Sequence, residues 1–298
     1  MTIFNLGSIN ADNFYAVPRL PAPGETIAAT DFSFGLGGKG ANQSIAAATG
    51  GAEVVHIGAV GEDGHWAVDQ LASFGISIDH IDVLDIPTGH ANICVDPDGE
   101  NSIVIFSSAN IAQSTGNIRT ALAAATDQDI CILQNETNNV AYAAEIARNR
   151  GMRVIYSAAP FDVDAVEEVL PFVDMVVLNT VEAEQLSTAL GVTPQNLPVP
   201  AVLVTMGADG AIYRTSDGED FVPAFEVTPV DTTGAGDTYL GFFAAGLDAG
   251  MDHRGAMRFA AAGAAIQVTR HGTADAIPSL PEVKEFLETR LAPKARAG

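Results

Sequence analysis

The stretch Thr228–Phe243, TPVDTTGAGDTYLGFF, sets an aspartate, Asp237, behind Gly234, Ala235 and Gly236 and ahead of an apolar run. Small residues at a strand-to-helix turn leave backbone amides open at a helix N-terminus, where the helix dipole adds to their attraction for anions. An aspartate there can simply cap the helix. It can also take the proton of an alcohol while the neighbouring amides hold a transferring phosphoryl group. The second use explains why a carboxylate stands in an anion hole: it faces a hydroxyl, and the amides face phosphate.

A second glycine-rich stretch, FGLGGKGANQ, lies near the other end of the chain. Gly35, Gly37 and Gly40 satisfy G-x-G-x-x-G, but the dinucleotide fingerprint also needs a buried strand before it and an acidic residue about 20 positions on. Residues Asp31–Phe34 make a weak strand, and the following strand ends in His56-Ile57-Gly58-Ala59. A phosphate-binding P-loop is excluded too, because Gly40 follows Lys39 where that loop has Ser or Thr. Polyol binding fits better. Glycines let a sugar lie against the backbone, and Asn42 offers a donor and an acceptor to vicinal hydroxyls. Asn10 and Asp12, expected at the carboxyl end of the first strand, add polar groups on the same rim.

These residues need a scaffold. Strands are expected at Ile3–Ile9, Val54–Val60, Ile130–Gln134, Val154–Ser157, Met175–Leu178 and Val202–Thr205. Helical patterns lie between them at Ala41–Ala48, Gly64–Phe74, Ala141–Arg150 and Val163–Leu170, and the last third holds a hairpin and two long helices, Ala235–Ala249 and Arg254–Val268. Such alternation predicts an α/β fold, a mainly parallel central sheet with helices on both faces. Residues 13–34 and 88–107 break the alternation and read as a small β-rich lid beside one large domain. Only APKARAG at the end reads as frayed.

The composition narrows the partners. Fourteen Lys and Arg face 37 Asp and Glu, a formal charge of −23. So acidic a chain repels nucleic acid and anionic membranes, and any phosphate must be held by local devices. Cys94 and Cys131 sit in separate apolar runs and read as reduced thiols, and no stretch is long enough to span a membrane. A cytoplasmic protein is expected.

The run Asp231-Thr232-Thr233-Gly234-Ala235-Gly236-Asp237 resembles the C-terminal signature of the ribokinase family of carbohydrate kinases. Gly37–Gln43 and GSINAD at Gly7–Asp12 are similar to two further family motifs, in the family's order. The resemblance implies an ATP-dependent sugar kinase with Asp237 as base. It implies that Asn10, Asp12, Gly38, Lys39, Asn42 and Glu136 line the sugar site, and ribose is the acceptor this set favours. Another pentose, a ketohexose, 2-keto-3-deoxygluconate or a nucleoside is the alternative, with a non-catalytic sugar-binding regulator further off. Ala91 and Ile93 resemble lid residues that pack on the sugar from a partner subunit, which implies a homodimer.

On the nucleotide side, the resemblance implies that Thr205, Gly207 and Gly210 in VTMGADG meet ATP together with Asn179 and Gly236, and that the helix carrying Ala261 lies beside adenine. Ala208 stands where the family often has a hydroxyl. Asn179 and Glu182 suit, on spacing alone, either a capping box or a water-mediated Mg2+, and the resemblance favours Mg2+. A monovalent cation, K+, is implied at the Asp231 carboxylate and the Thr233, Gln267, Arg270 and Gly272 carbonyls. The last position, Ala276, stands where ribokinases often have serine. Residues 184–202 are shorter than the family leads one to expect, which predicts a trimmed edge on the nucleotide side.

Overall fold

The computed structural model describes residues 1–291, so the frayed end expected for APKARAG lies outside the described residues. The large sheet contains β1 (Thr2–Leu6), β4 (Glu53–Gly61), β5 (Ser77–Leu84), β8 (Ile130–Gln134), β9 (Arg153–Ser157), β10 (Met175–Asn179), β11 (Ala201–Thr205), β12 (Ala211–Thr215) and β13 (Gly218–Val222). Their order is β13-β12-β11-β10-β9-β8-β1-β4-β5. Pairing is parallel from β11 across to β5, and β12 and β13 add an antiparallel edge. The inner strands are nearly unbroken apolar runs, as ICILQ in β8 illustrates, because a parallel sheet covered on both faces leaves no strand face to water.

Both faces are covered. On one side α1 (Lys39–Thr49), α2 (His65–Ser73), α7 (Ala235–Asp248), α8 (His253–Gln267) and α9 (Leu280–Leu291) pack into one apolar cluster. On the other, α3 (Thr115–Ala121), α4 (Val140–Asn149), α5 (Val163–Val169) and α6 (Thr180–Leu190) pack into a second. Alanine and glycine dominate α1, α7 and α8 because their backbones approach closely: a Cβ on Gly241 of α7 would come 2.4 Å from the Ala46 Cβ of α1. Between Leu190 and Ala201 the chain holds one short 3-10 turn, Pro194–Asn196, and no α-helix, in keeping with the trimmed edge.

A second, four-stranded sheet stands beside the first, with order β3-β2-β6-β7. Its strands are β2 (Asn10–Ala16), β3 (Asp31–Gly37), β6 (Gly89–Val95) and β7 (Asn101–Phe106). This corrects the expected placement of Asn10 and Asp12. The first strand ends at Leu6 rather than Ile9, the chain turns at Gly7-Ser8-Ile9, and both residues open β2 of the small sheet. The turn is forced by crowding, because the Gly7 and Gly40 backbones touch: a Cβ on Gly40 would lie 2.3 Å from the Gly7 Cα. Strand β3 is antiparallel to β2 and belongs to the small sheet, so the preceding buried strand that a dinucleotide fingerprint requires is lacking. Strand β5, SIDHIDVL, was not anticipated, since its half-buried alternation is broken by charges.

Candidate active site

The site lies at the carboxyl ends of β1, β8, β10 and β11, where parallel sheets collect ligands. Helix α7 starts there. Gly234, at φ 74, makes the left-handed turn into the helix, and Asp237 sits in its first turn. The amides do not all serve alike: Ala235 N–H donates to the Thr232 carbonyl at 3.2 Å. Of the three amides expected to form an anion hole, those of Gly234 and Gly236 have no partner among the described residues.

Asp237 is half-buried, with an amide donor at each carboxylate oxygen. Gln43 Nε2 donates to Oδ1 at 2.9 Å, and Asn42 Nδ2 lies 3.4 Å from Oδ2. Burial raises its pKa above the ordinary carboxylate range; Lys39 and the two amide donors pull it back, and Glu136 pushes it up. The Lys39 ammonium is in turn raised, chiefly by Asp237, then by Glu136, Glu182 and Asp12. One ammonium thus serves four carboxylates at the cleft.

Near Asp237, the residues expected to line a sugar site, Asn10, Asp12, Gly38, Lys39, Asn42 and Glu136, come together. Glu136 Oε2 accepts from the Ser8 hydroxyl at 2.5 Å and from the Lys39 amide at 3.0 Å. Asn10 Oδ1 accepts from Asn110 Nδ2 at 2.7 Å. The Asp12 carboxylate packs directly on Gly37, where a Cβ would meet its Oδ2 at 1.8 Å. Burial, then Glu136 and Asp237, push its pKa up to about 7, with Lys39 opposing. Asn42 Oδ1 is buried with no hydrogen-bond partner among the described residues. Ala91 pairs with Asp12 and Ile93 with Phe14, side by side on one face of the small sheet, and both are already buried within the single chain.

On the opposite side of Asp237 a cleft of about 430 Å³ is lined by Thr205, Gly207, Gly210, Gly236 and Ala261, five of the six residues expected to meet nucleotide. Asn179, the sixth, is not among its walls. It forms a capping box with Glu182: Glu182 N–H donates to Asn179 Oδ1 at 2.9 Å, and Asn179 N–H to Glu182 Oε2 at 2.8 Å. Burial raises the Glu182 carboxyl, and its charge helps raise Lys39.

Several site residues went unrecognised in the sequence. The apolar wall Phe225, Val227 and Pro229 lines the cleft but reads as featureless loop. Behind the base runs a buried chain of amides. Gln134 Nε2 donates to Gln43 Oε1 at 2.8 Å and to Asn5 Oδ1 at 2.7 Å, and Asn5 Nδ2 donates to the Gly40 carbonyl and Ser44 Oγ, each at 2.8 Å. Ser44 Oγ lies 2.8 Å from His56 Nδ1, and His56 Nε2 3.2 Å from the Gly7 carbonyl. Burial lowers the His56 pKa to about 4 and keeps the ring neutral. Carbonyls only accept, so Gly40 and Gly7 fix the polarity of the chain, and Gln43 must present its N–H to Asp237. The available signal was Asn5 and Gln134 themselves, polar residues within apolar strand runs, which need buried partners.

Of the oxygens expected around a monovalent cation, all but the Arg270 carbonyl already accept hydrogen bonds. Asp231 Oδ1 accepts from Thr233 N–H at 2.9 Å and Oδ2 from Gly272 N–H at 3.1 Å. The Thr233 and Gly272 carbonyls accept from Gln267 Nε2 at 2.7 and 3.5 Å. The Gln267 carbonyl takes Arg270 N–H at 3.0 Å, and the Ala276 carbonyl lies 3.5 Å from the Arg270 guanidinium. A donor side chain stands where the resemblance implied a cation, so this arrangement does not fit a resident K+.

A half-buried carboxylate at a glycine-led helix start, with a polar rim on one side and an apolar cleft on the other, is the arrangement of a kinase acting on a small polyhydroxy acceptor. The chain belongs to the pfkB family of carbohydrate kinases, whose model matches residues 2–280. It is similar to the ribokinase of Haemophilus influenzae, 37% identical over 303 residues covering 96% of this chain and 98% of that one. A deoxyribokinase of Salmonella typhi is 33% identical, covering 96% and 99%. The structure of Arabidopsis thaliana ribokinase complexed with ribose and ATP superposes with a TM-score of 0.85 at 30% identity, covering 96% of this chain and 98% of that one.

Proposed function

We propose that the protein transfers the γ-phosphoryl group of ATP to the O5 hydroxyl of D-ribose. The observation that carries this reading is the position of Asp237, between the polar rim and the nucleotide-sized cleft, at the helix start whose Gly234 and Gly236 amides are unpartnered. Gln43 bonds Asp237 Oδ1 at 2.9 Å and Asn42 reaches Oδ2 only at 3.4 Å, so the more weakly held Oδ2 takes the hydroxyl proton. The two amides and the α7 dipole face the charge that spreads over the transferring phosphoryl oxygens. Unpartnered Asn42 Oδ1 supports a hydroxyl-bearing ligand, because a buried acceptor left without a donor costs about 1–3 kcal/mol. Glu182 fits a water-mediated Mg2+, since the capping box uses one carboxylate oxygen for Asn179; the ion, when bound, neutralises phosphate charge. No role is given to K+.

Ribose is favoured over 2-deoxyribose because Asp12, Asn10 and Asn42 offer several hydrogen-bonding groups to vicinal hydroxyls, and a site built for a hydroxyl discriminates against its loss. The deoxyribokinase relative supports 2-deoxyribose as the second reading. ATP-dependent ADP release over ribose, 2-deoxyribose, fructose, 2-keto-3-deoxygluconate and adenosine tests both. Ribose is expected to give the highest kcat/KM, and a higher value for any other acceptor would overturn the assignment.

Asp12 makes sugar binding depend on pH. Its carboxyl moves from the ordinary 3.8 to about 7 in the fold, so between these values the folded chain holds a proton that the unfolded chain has released. Its contribution to stability therefore falls as pH rises through that window. Ligand binding runs the other way, because the ionised carboxylate accepts from two sugar hydroxyls. The ribose KM is expected to fall as pH rises from 6 to 8, and Asp12→Asn to flatten that dependence. A wild-type KM that stays level across the range would count against Asp12 as the sugar's acceptor.

The small sheet supports a lid that pairs two copies of the chain. Phe34 on β3 and Ile103, Val104, Ile105 and Phe106 on β7 are about half exposed or more, apolar side chains on the two edge strands of the sheet of the kind that mark an interface. Sedimentation at micromolar concentration is expected to show a dimer, and Val104→Lys with Ile105→Lys a monomer; a monomeric wild type would remove this role. Free Cys94 and Cys131 agree with a reducing cytoplasmic setting, which cell fractionation would test.

A further inference from the structure

Gln267 is the last residue of α8, and its side chain is fully buried. Its Nε2 donates to the Thr233 carbonyl at 2.7 Å and approaches the Gly272 carbonyl at 3.5 Å. Thr233 precedes the left-handed glycine that opens α7, and Gly272 lies in the loop after α8. Backbone bonds already draw these segments together, from Val230 N–H to the Val268 carbonyl at 2.7 Å and from Asp231 N–H to the same oxygen at 3.2 Å. The Asp231 carboxylate closes the joint by accepting Thr233 N–H and Gly272 N–H. Two carbonyl dipoles would otherwise converge, oxygen to oxygen, directly behind the anion hole. The Gln267 amide separates them.

We propose that the Gln267 side-chain amide stands in for a monovalent cation, holding the Thr233–Gly236 turn in its phosphate-binding shape so that turnover does not depend on K+. Such an ion would bridge these carbonyls by charge; the amide does so with N–H groups that need no ion. One feature supports the substitution: other oxygens of the cluster are bonded as well, the Gln267 carbonyl to Arg270 N–H and both Asp231 oxygens to amides.

The inference rests on the proposed anion hole, and its test separates the two. Wild type and Gln267→Ala are compared in KCl, NaCl and tetramethylammonium chloride at equal ionic strength, by ADP release with ribose and ATP and by thermal unfolding without substrate. Wild-type kcat is expected to agree within about twofold in the three salts, with no saturable K+-specific rise in Tm. Gln267→Ala uncovers the two carbonyls. It is expected to lose at least about tenfold in kcat without K+, to recover with K+, and to gain a saturable Tm shift specific to K+.

A wild type stimulated tenfold or more by K+ would overturn the inference, and so would a variant as active as wild type and indifferent to the salt. If the variant does not fold, the wild-type salt series decides alone. If no sugar is phosphorylated in any salt, the kinase reading fails, and the unfolding measurements still show whether K+ binds only once Gln267 is gone.

Discussion

Asp237→Asn is expected to lower kcat by about two to four orders of magnitude, the usual effect of removing a general base, while the KM values for sugar and ATP change little. The substituted amide keeps its shape against Gln43 and Asn42 but cannot take a proton. Gln43→Glu gives a graded companion. A glutamate there still accepts from Gln134 but sets a carboxylate against Asp237 Oδ1 in place of the N–H that bonds it at 2.9 Å. Losing a hydrogen bond to a charged group predicts a fall in kcat of about 10- to 100-fold. The same change removes an influence that lowers the Asp237 pKa. The groups around it, Lys39, Glu136, Asp12 and Glu182, stay in place, so the acid limb of the kcat profile moves to higher pH. An Asp237→Asn enzyme with undiminished turnover would sink the base assignment. Loss in that variant with an unshifted profile in Gln43→Glu would show that Gln43 only packs.

What could be read from the sequence was local. VDTTGAGD and GGKGANQ are contiguous, and each fixes a turn and a helix start whose chemistry follows from the residues themselves. The alternation of strands and helices was legible for the same reason. Asn10 and Asp12 were assigned to the wrong strand because the turn before them has no proline or charge to mark it; it is caused by Gly7 meeting Gly40, 33 positions away. The support of the base was hidden by distance along the chain, since Asn5, Gln43 and Gln134 meet only after β1 and β8 pair. Ala91 and Ile93 are buried within one chain, and nothing in their types tells a sugar or a partner from a neighbouring strand. Gln267 was read by its carbonyl alone, and the bond from its side chain to the Thr233 carbonyl appears only once α8 packs behind the turn into α7.

The Gly7–Gly40 contact carries the second large expectation. Gly40→Ala places a methyl carbon 2.3 Å from the Gly7 Cα and 2.3 Å from the Ser8 nitrogen, both backbone atoms that cannot rotate away. Helix α1 must then lift from β1. Overpacking of this kind costs about 3 kcal/mol at the upper end of the usual range, which lowers Tm by roughly 5 to 10 °C in a chain of this size. The functional loss should exceed what that destabilisation explains. The Gly40 carbonyl anchors the Asn5 amide at 2.8 Å, Asn5 orients Gln134, and Gln134 orients Gln43 toward Asp237. The same lift draws Lys39 N–H from Glu136 and Ala41 N–H from the Ser8 carbonyl, which it meets at 2.9 Å. Both halves of the site share this contact, so sugar KM should rise and kcat fall together at temperatures where the variant is fully folded. Asp237→Asn should lower kcat alone. A Gly40→Ala enzyme that lost only stability, with wild-type KM and kcat at 20 °C, would show that the glycine pair serves packing and that the amide chain behind Asp237 tolerates a shifted anchor.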